Sequence, residues 1–506
     1  MDNSGFELNE EAPPRNFSKP EKIKEECHLI QRNCLLDRTL KSSISHPIEK
    51  DNTVVRFSEV TFRFLEEHDE NTCADIWNSE KEPLVSSPCL SGLSVGSAVT
   101  TVVGQQPEVN LEDHGSASWK IPVTSAYKSQ VDLKFQFLHH HTKSKVHQFP
   151  GGVIQWSRFC RNGDEYQNKE EMVFGTSINA QRSKIMFGTL LIKSNGLRAP
   201  HWHFNANEQG YLLKGTAWIG VVDADGNTIA TYNVTAGQII FFPRNTLHWV
   251  KNVGAEECLF LLFFTTHEEL QTLDLDDTFF LTPKDIEARS LKPQGGMAFI
   301  RSFQKQAEDQ AINLPPNLAE LVQSASYNQS ADMLVWRYFF DLKGSSKFQF
   351  PGGVIQWARY IKDGKGLKPN EKIYSEFIHS KEEALTLATL RISSNALRQP
   401  HFHFNANEMG YVIIGDVVFF PVGTQHYIKN ICDEDLLLIL AFSTNNQLQT
   451  LDMDDYFHAT ADQILAQLFF KKQAEFKKIP RLKEDQAINL PYVLFLLYVL
   501  DFNSNI

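Results

Sequence analysis

The sequence predicts an all-β protein made of two tandem barrels, and three observations carry that prediction. Short runs such as KIMFGTLLIK (184–193), GYLLKGTAWIGVV (210–222) and ECLFLLFFTT (257–266) are rich in β-branched and aromatic residues. Gly, Pro and Asn punctuate them, a barrel or sandwich pattern rather than a βαβ one. Several blocks recur in the same order in two halves of the chain. One motif, PHWHFNANE at 200–208, returns as PHFHFNANE at 400–408.

The repeat is a whole-domain duplication. QFPGGVIQWSRF (148–159) returns as QFPGGVIQWARY (349–360), LQTLDLDD (270–277) as LQTLDMDD (448–455), and EDQAINLP (308–315) unchanged at 484–491. These blocks place the first unit at 120–318 and the second at 319–506. The spacing is not constant. His203 and His248 lie 45 positions apart, but His403 and His426 only 23, so the second unit has lost 22 residues. The missing piece corresponds to TAWIGVVDADGNTIATYNVTAG (216–237) and falls between Gly415 and Asp416. Two β-rich runs around an Asp/Gly turn read as a hairpin. The second barrel is therefore expected to lack two facing strands and to gather its ligands poorly. Degeneration, an alternative transcript and a faulty gene model all explain the loss.

Helices are expected near LTPKDIEARS (281–290), where Thr-Pro can start one, and near LAELVQS (318–324). The FPGGVIQW blocks read as paired strands and turns. LHHHTK (138–143) reads as a solvated loop, because its counterpart FFDLKG has no histidine. Residues 1–119 have no partner in the repeat. They read as an irregular, partly disordered extension without a function of its own, with one alternating run, VVRFSEVTFRF (54–64), that suits a strand.

Composition sets outer limits. A chain of 506 residues with 42% apolar residues can bury substantial cores. A net charge of −12 argues against a nucleic-acid-coating protein, which needs clustered Lys and Arg. The 7 cysteines never form a CxxC pair and suit reduced thiols. The first 20 residues show no secretory pattern, and the apolar run YVLFLLYVLDF (492–502) is too short to span a bilayer. The expectation is a soluble, cytoplasmic chain without a membrane partner.

The chemistry lies in the repeated motif. On a strand, residues i and i+2 share a face, so His201 and His203 point together. Glu208 returns a carboxylate after the FNAN turn, and His248, in FFPRNTLHWVKN, adds a third imidazole. For one His-x-His pair, satisfied polar residues are the commoner explanation. Here the constellation recurs as His401, His403, Glu408 and His426. Burying a carboxylate costs several kcal/mol without a partner, so two such sites point to a divalent cation. Mixed nitrogen and oxygen donors with open positions suit Mn(II) or Fe(II); spacing alone also admits Zn(II), Ni(II) or Cu(II).

The stretches G-x4-H-x-H-x4-E-x6-G (Gly196 to Gly215) and G-x5-P-x4-H-x3-N (Gly237 to Asn252) resemble the two cupin motifs, with four rather than five residues before the first histidine. Two such units resemble a bicupin, and the order of blocks over about 125–480 resembles the oxalate decarboxylase family. That resemblance implies double-stranded β-helix (jelly-roll) barrels, manganese, a small carboxylate substrate, dioxygen and, as in many bicupins, assembly into homo-oligomers. It implies a substrate-binding role for Arg198, repeated as Arg398. It also places Glu269, in THEELQT, at the family's proton-shuttling lid glutamate. The second-unit equivalent, in TNNQLQT, is Gln447, which cannot carry a proton. Decarboxylation of oxalate to formate in the first unit is thus the leading expectation. The alternatives are a non-catalytic metal- or ligand-binding, storage-type bicupin, and a dioxygenase, isomerase or oxalate oxidase acting on another small acid.

Overall fold

The computed structural model describes residues 137–224, 229–322, 330, 332–413 and 415–491, together with the backbone of two strands, Phe57–Thr61 and Leu93–Ala98. The rest of residues 1–119 and the apolar run 492–502 lie outside the described residues. The strands form two six-stranded and two seven-stranded sheets, one of each kind per barrel.

In the first barrel, Leu197–His203 sits inside the six-stranded sheet. It pairs with Leu247–Asn252 on one side and with Thr272–Asp274 and Ile312–Asn313 on the other. The hairpin Thr216–Val222/Ile229–Thr235 extends the sheet beyond Leu247–Asn252. Alternation along Ile229–Thr235 sends Ala230, Tyr232 and Val234 inward, as a half-buried strand requires. The opposing sheet runs from Val146–Phe149 through Cys258–Phe264 and Glu208–Lys214 to Ile239–Phe242. The repeated FPGG and INLP blocks meet here. Gly151 N–H donates to Ile312 O at 2.8 Å, and a Cβ on Gly151 would lie 2.4 Å from Asn313 O. Gly352 and Ile488 repeat the contact at 2.9 Å.

The barrels exchange edge strands. Phe339–Phe340 of the second half pairs with Ile239–Ile240 of the first, and Leu138–His140 of the first half pairs with Asp416–Val418 of the second. One apolar core therefore spans both halves, with Phe241, Phe263 and Tyr211 packed in the same cluster as Phe419, Tyr411 and Tyr374. This exchange corrects the reading of LHHHTK as a solvated loop. His139, His140 and His141 are all buried. His140 Nδ1 meets Asp416 Oδ1 at 2.8 Å, and His141 lies between Ser157 Oγ (2.8 Å) and Thr189 Oγ1 (2.9 Å). The partners sit on distant segments, so local polarity gave no sign of the burial.

The second barrel repeats the strand order of the first, and the position of its missing hairpin is filled. Leu93–Ala98 pairs with Gln425–Asn430, and Phe57–Thr61 pairs with Leu93–Ala98. Phe57–Thr61 lies within the alternating run expected to form a strand. The expectation of a barrel short of two facing strands is therefore corrected: a distant segment supplies both, and the extension is not structurally idle.

Helices lie outside the barrels. Lys169–Ala180 starts at Asn168, whose side chain accepts from Glu171 N–H at 3.0 Å. Its repeat, Pro369–Ser380, starts with proline in the first turn, and the Glu371 carboxylate accepts from Lys368 N–H at 2.9 Å. The expected helices appear as Lys284–Leu291 and Leu318–Leu321. No helix among the described residues is long and apolar enough to cross a membrane.

Candidate metal centres

His201 and His203 project from Leu197–His203 into the first barrel, and Glu208 opens the next strand, Glu208–Lys214. His248 arrives from Leu247–Asn252, directly opposite His201 in the ladder. All four are at least 96% buried, and their ligand atoms lie within 4.8 Å of one another. His401, His403, Glu408 and His426 repeat this arrangement in the second barrel. The structure brings together all eight sequence-predicted ligands, including the set expected to assemble poorly.

Hydrogen bonding fixes what these imidazoles can offer. His201 Nδ1 lies 2.7 Å from Ala199 O and His248 Nδ1 lies 2.9 Å from Thr246 O. A carbonyl only accepts, so each Nδ1 carries a proton and Nε2 is the nitrogen left to face the site. His248 Nε2 nevertheless sits 3.2 Å from Glu208 Oε2. A lone pair facing a carboxylate oxygen repels unless a proton or a cation lies between them. His426 repeats the arrangement, with Thr424 O at 3.0 Å and Glu408 Oε2 at 3.0 Å. The donor set therefore fits a divalent cation.

Burial pushes the His201 pKa well below its usual value, and Arg198 and the other histidines push it the same way. Burial acts on Glu208 in the opposite sense, but the His203 and His248 rings against its carboxylate outweigh it and bring the carboxyl down to about 2. Neutral imidazoles and an ionised carboxylate are the protonation states a metal needs. Phe242 stacks on His248 with centroids 4.1 Å apart, and Phe420 does the same on His426.

Around the ligands stand groups that sequence reasoning did not single out. Thr272 Oγ1 meets His203 Nδ1 at 2.9 Å, and Thr450 repeats the contact with His403. Asp274, opposite His201 in the ladder, accepts two hydrogen bonds from Arg198 at 2.9 and 3.0 Å. Arg198 also donates to Ala311 O, and Arg398 is held likewise by Asp452 and Ala487 O. The available signal was the repeated LQTLD and EDQAINLP blocks, which these groups explain. Within FNANE, Asn205 donates to Glu269 O and accepts from Gln271 N–H, while Asn207 reaches across to Glu382 O in the other half.

Glu269 lies on the loop between Cys258–Phe264 and Thr272–Asp274. Its side chain is partly exposed, 3.7 Å from Arg161. Asn405 donates to Gln447 O at 2.9 Å, matching the Asn205–Glu269 bond, so Glu269 and Gln447 occupy equivalent positions.

Residues 167–292 match the family described as Cupin. Over 136 residues the chain is 30% identical to legumin type B of Vicia faba, covering 27% of this chain and 26% of that protein. Over 288 residues it is 24% identical to oxalate decarboxylase OxdC of Bacillus subtilis, covering 50% of this chain and 66% of that protein. A solved variant of the B. subtilis oxalate decarboxylase superposes with a TM-score of 0.54 at 18% identity, over 75% of this chain and 98% of that one. The Lactobacillus farciminis oxalate decarboxylase, solved as a formate complex, gives 0.53 at 16% identity, over 68% and 97%. At these identities the structural likeness establishes the fold alone. The cupin match thus covers the first metal centre, and the chain as a whole has a two-barrel cupin fold that resembles the oxalate decarboxylases.

Proposed function

We propose that the chain is a metal-dependent bicupin that decarboxylates a small dicarboxylate, converting oxalate to formate and carbon dioxide in the first barrel. The observation that carries the metal is the convergence of three buried imidazoles and one carboxylate, their ligand atoms within 4.8 Å of one another, with His248 Nδ1 turned to Thr246 O and Nε2 to Glu208. Mn(II) is the proposed ion, supported by the donor set and by the Mn(II) centres named for B. subtilis oxalate decarboxylase. When bound, the metal supplies a Lewis acid and, with dioxygen, a one-electron acceptor that is regenerated in each cycle. Soluble homo-oligomers in the cytoplasm remain part of this reading.

The chain's own residues would do the rest. Arg198, beside His201, orients and polarises the substrate carboxylate. Glu269 takes the carboxyl proton of the oxalate monoanion, the C–C bond breaks with release of carbon dioxide, and the other carbon recovers the proton from Glu269 as formate. Gln447 cannot perform this transfer, which assigns turnover to the first barrel. Because Glu269 turns toward Arg161, the reading requires the 265–271 segment to close over the site.

One observation favours a second reading, a bicupin that binds metal and ligand without turnover. The Arg198 guanidinium is already engaged by Asp274 and Ala311 O, so it has little capacity left for a substrate. Metal content and formate release from oxalate under air separate the two readings. Full occupancy without formate would remove the decarboxylase reading, and turnover that survives Glu269→Gln would remove Glu269 from the mechanism.

A further inference from the structure

The second barrel holds a cavity of about 280 Å³ whose wall includes His401, His403 and Glu408. Two arginines also line it, in opposite circumstances. Arg398 is neutralised by Asp452 at 2.8 Å and donates to Ala487 O at 3.0 Å. Arg359 has no carboxylate within ion-pairing distance among the described residues. Its Nε is buried without an acceptor, and its guanidinium is flanked by the rings of Trp357 (5.0 Å) and Phe348 (5.3 Å). Burial pushes its pKa down, as expected for a cation partly removed from water with nothing to replace the lost hydration.

The other charges on this wall are already committed. Glu408 faces His403 and His426, and Asp452 faces Arg398. A half-buried cation with no carboxylate beside it is costly, and a ligand carboxylate would supply the missing charge. In the first barrel the equivalent residue, Arg158, rests over Trp156 at 4.6 Å.

We infer that the second cavity is a binding pocket for a small carboxylate, anchored by the planar two-pronged guanidinium of Arg359 and by the cation held on His401, His403, Glu408 and His426. Guanidinium matches carboxylate geometry bidentately. The cavity's volume and its aromatic and aliphatic walls limit the ligand to a small acid. With Gln447 in place of a proton-carrying residue, the pocket binds without turning over. The inference shares the metal with the proposed function but does not depend on decarboxylation.

The test is calorimetric titration of the full-length, Mn(II)-loaded chain with oxalate, alongside Arg359→Met and Arg359→Lys and with bound manganese measured for each. The expected result is a binding event weakened about tenfold to a hundredfold in Arg359→Met at unchanged manganese content. Arg359→Lys, which keeps the charge but not the fork, should recover part of the affinity. An isotherm that neither substitution changes would overturn the inference, as would a single binding event abolished only by Arg198→Met. Formate release is scored separately. Its absence with Arg359-dependent binding intact sinks the decarboxylase reading alone, and its presence with Arg359-independent binding sinks this one alone.

Discussion

Ser97 stands opposite His426 in an antiparallel pair, in the register that Val221 takes against His248. The correspondence continues along the strand. Gly96 stands opposite Tyr427 as Gly220 stands opposite Trp249, where a Cβ would lie 1.8 Å from the indole ring. Ser58 and Val60 take, against Ser97 and Val95, the places of Ala230 and Tyr232. The strands come in reversed chain order, so the turn that closes the first barrel's hairpin has no counterpart at that end. What is preserved is the ladder. A strand carrying a metal ligand would otherwise present unpaired N–H and C=O groups along an open edge.

This register predicts a covalent trap. Lys429 is exposed and opposite Ser94, so a Ser94→Cys, Lys429→Cys double variant of the full chain should form an intrachain disulfide under mild oxidation. The measurement is a mass loss of about 2 Da, or a mobility shift abolished by reductant. A double variant that stays fully reduced would refute the pairing. Val95→Pro removes an N–H from the same ladder and should lower manganese content toward one ion per chain while leaving the first site loaded.

The metal sites themselves predict stoichiometry. The intact chain should bind two divalent ions, and Glu208→Gln or Glu408→Gln should each reduce that to one, measured by elemental analysis after dialysis. Chelation should lower the thermal midpoint, since a ligand present at 100 times its Kd contributes about 2.7 kcal/mol. A midpoint unaffected by chelator would mean the sites stay empty.

The Arg198–Asp274 pair is buried and bidentate, so removing one partner strands the other charge. Asp274→Asn should destabilise the chain by about 3–5 kcal/mol in urea titrations, whereas an Arg198→Met, Asp274→Leu double variant should lose much less. Equal losses in the single and double variants would show that the pair does not act as a unit.

Acid should weaken the fold through residues outside the metal sites. Burial holds His141 well below its usual 6.5, with a further contribution from His139. The unfolded chain therefore binds more protons just below pH 6.5, and stability falls as pH drops through that point. Glu170 adds a second loss between 4.5 and about 2. Burial opposes its ionisation, but the His139 ring at 3.4 Å and the hydrogen bond from the His140 backbone N–H outweigh it. Replacing His141 by Gln should flatten the fall in urea midpoint between pH 7.5 and 5.5. Parallel curves for the two proteins would exclude His141 as the source.

Both ligand sets were legible because strand periodicity places His201 and His203 on one face and the duplication repeats the pattern with its carboxylate. Less legible were the supporting groups. Arg198 reads as available for a substrate until Asp274, 76 positions away, is seen to hold it. LHHHTK reads as polar and exposed until the strand exchange sets His140 against Asp416, 276 positions away.

From the sequence alone came the all-β class, the two-barrel duplication, the eight ligands and the position of the deletion. Each is a matter of spacing or periodicity along the chain. Only the tertiary structure decided how the second barrel closes, that Arg198 and Arg398 are neutralised, and that Arg359 has no carboxylate within ion-pairing distance among the described residues. Those outcomes depend on backbone edges and charges that meet from distant segments, and pairing across space leaves no periodic trace in the chain.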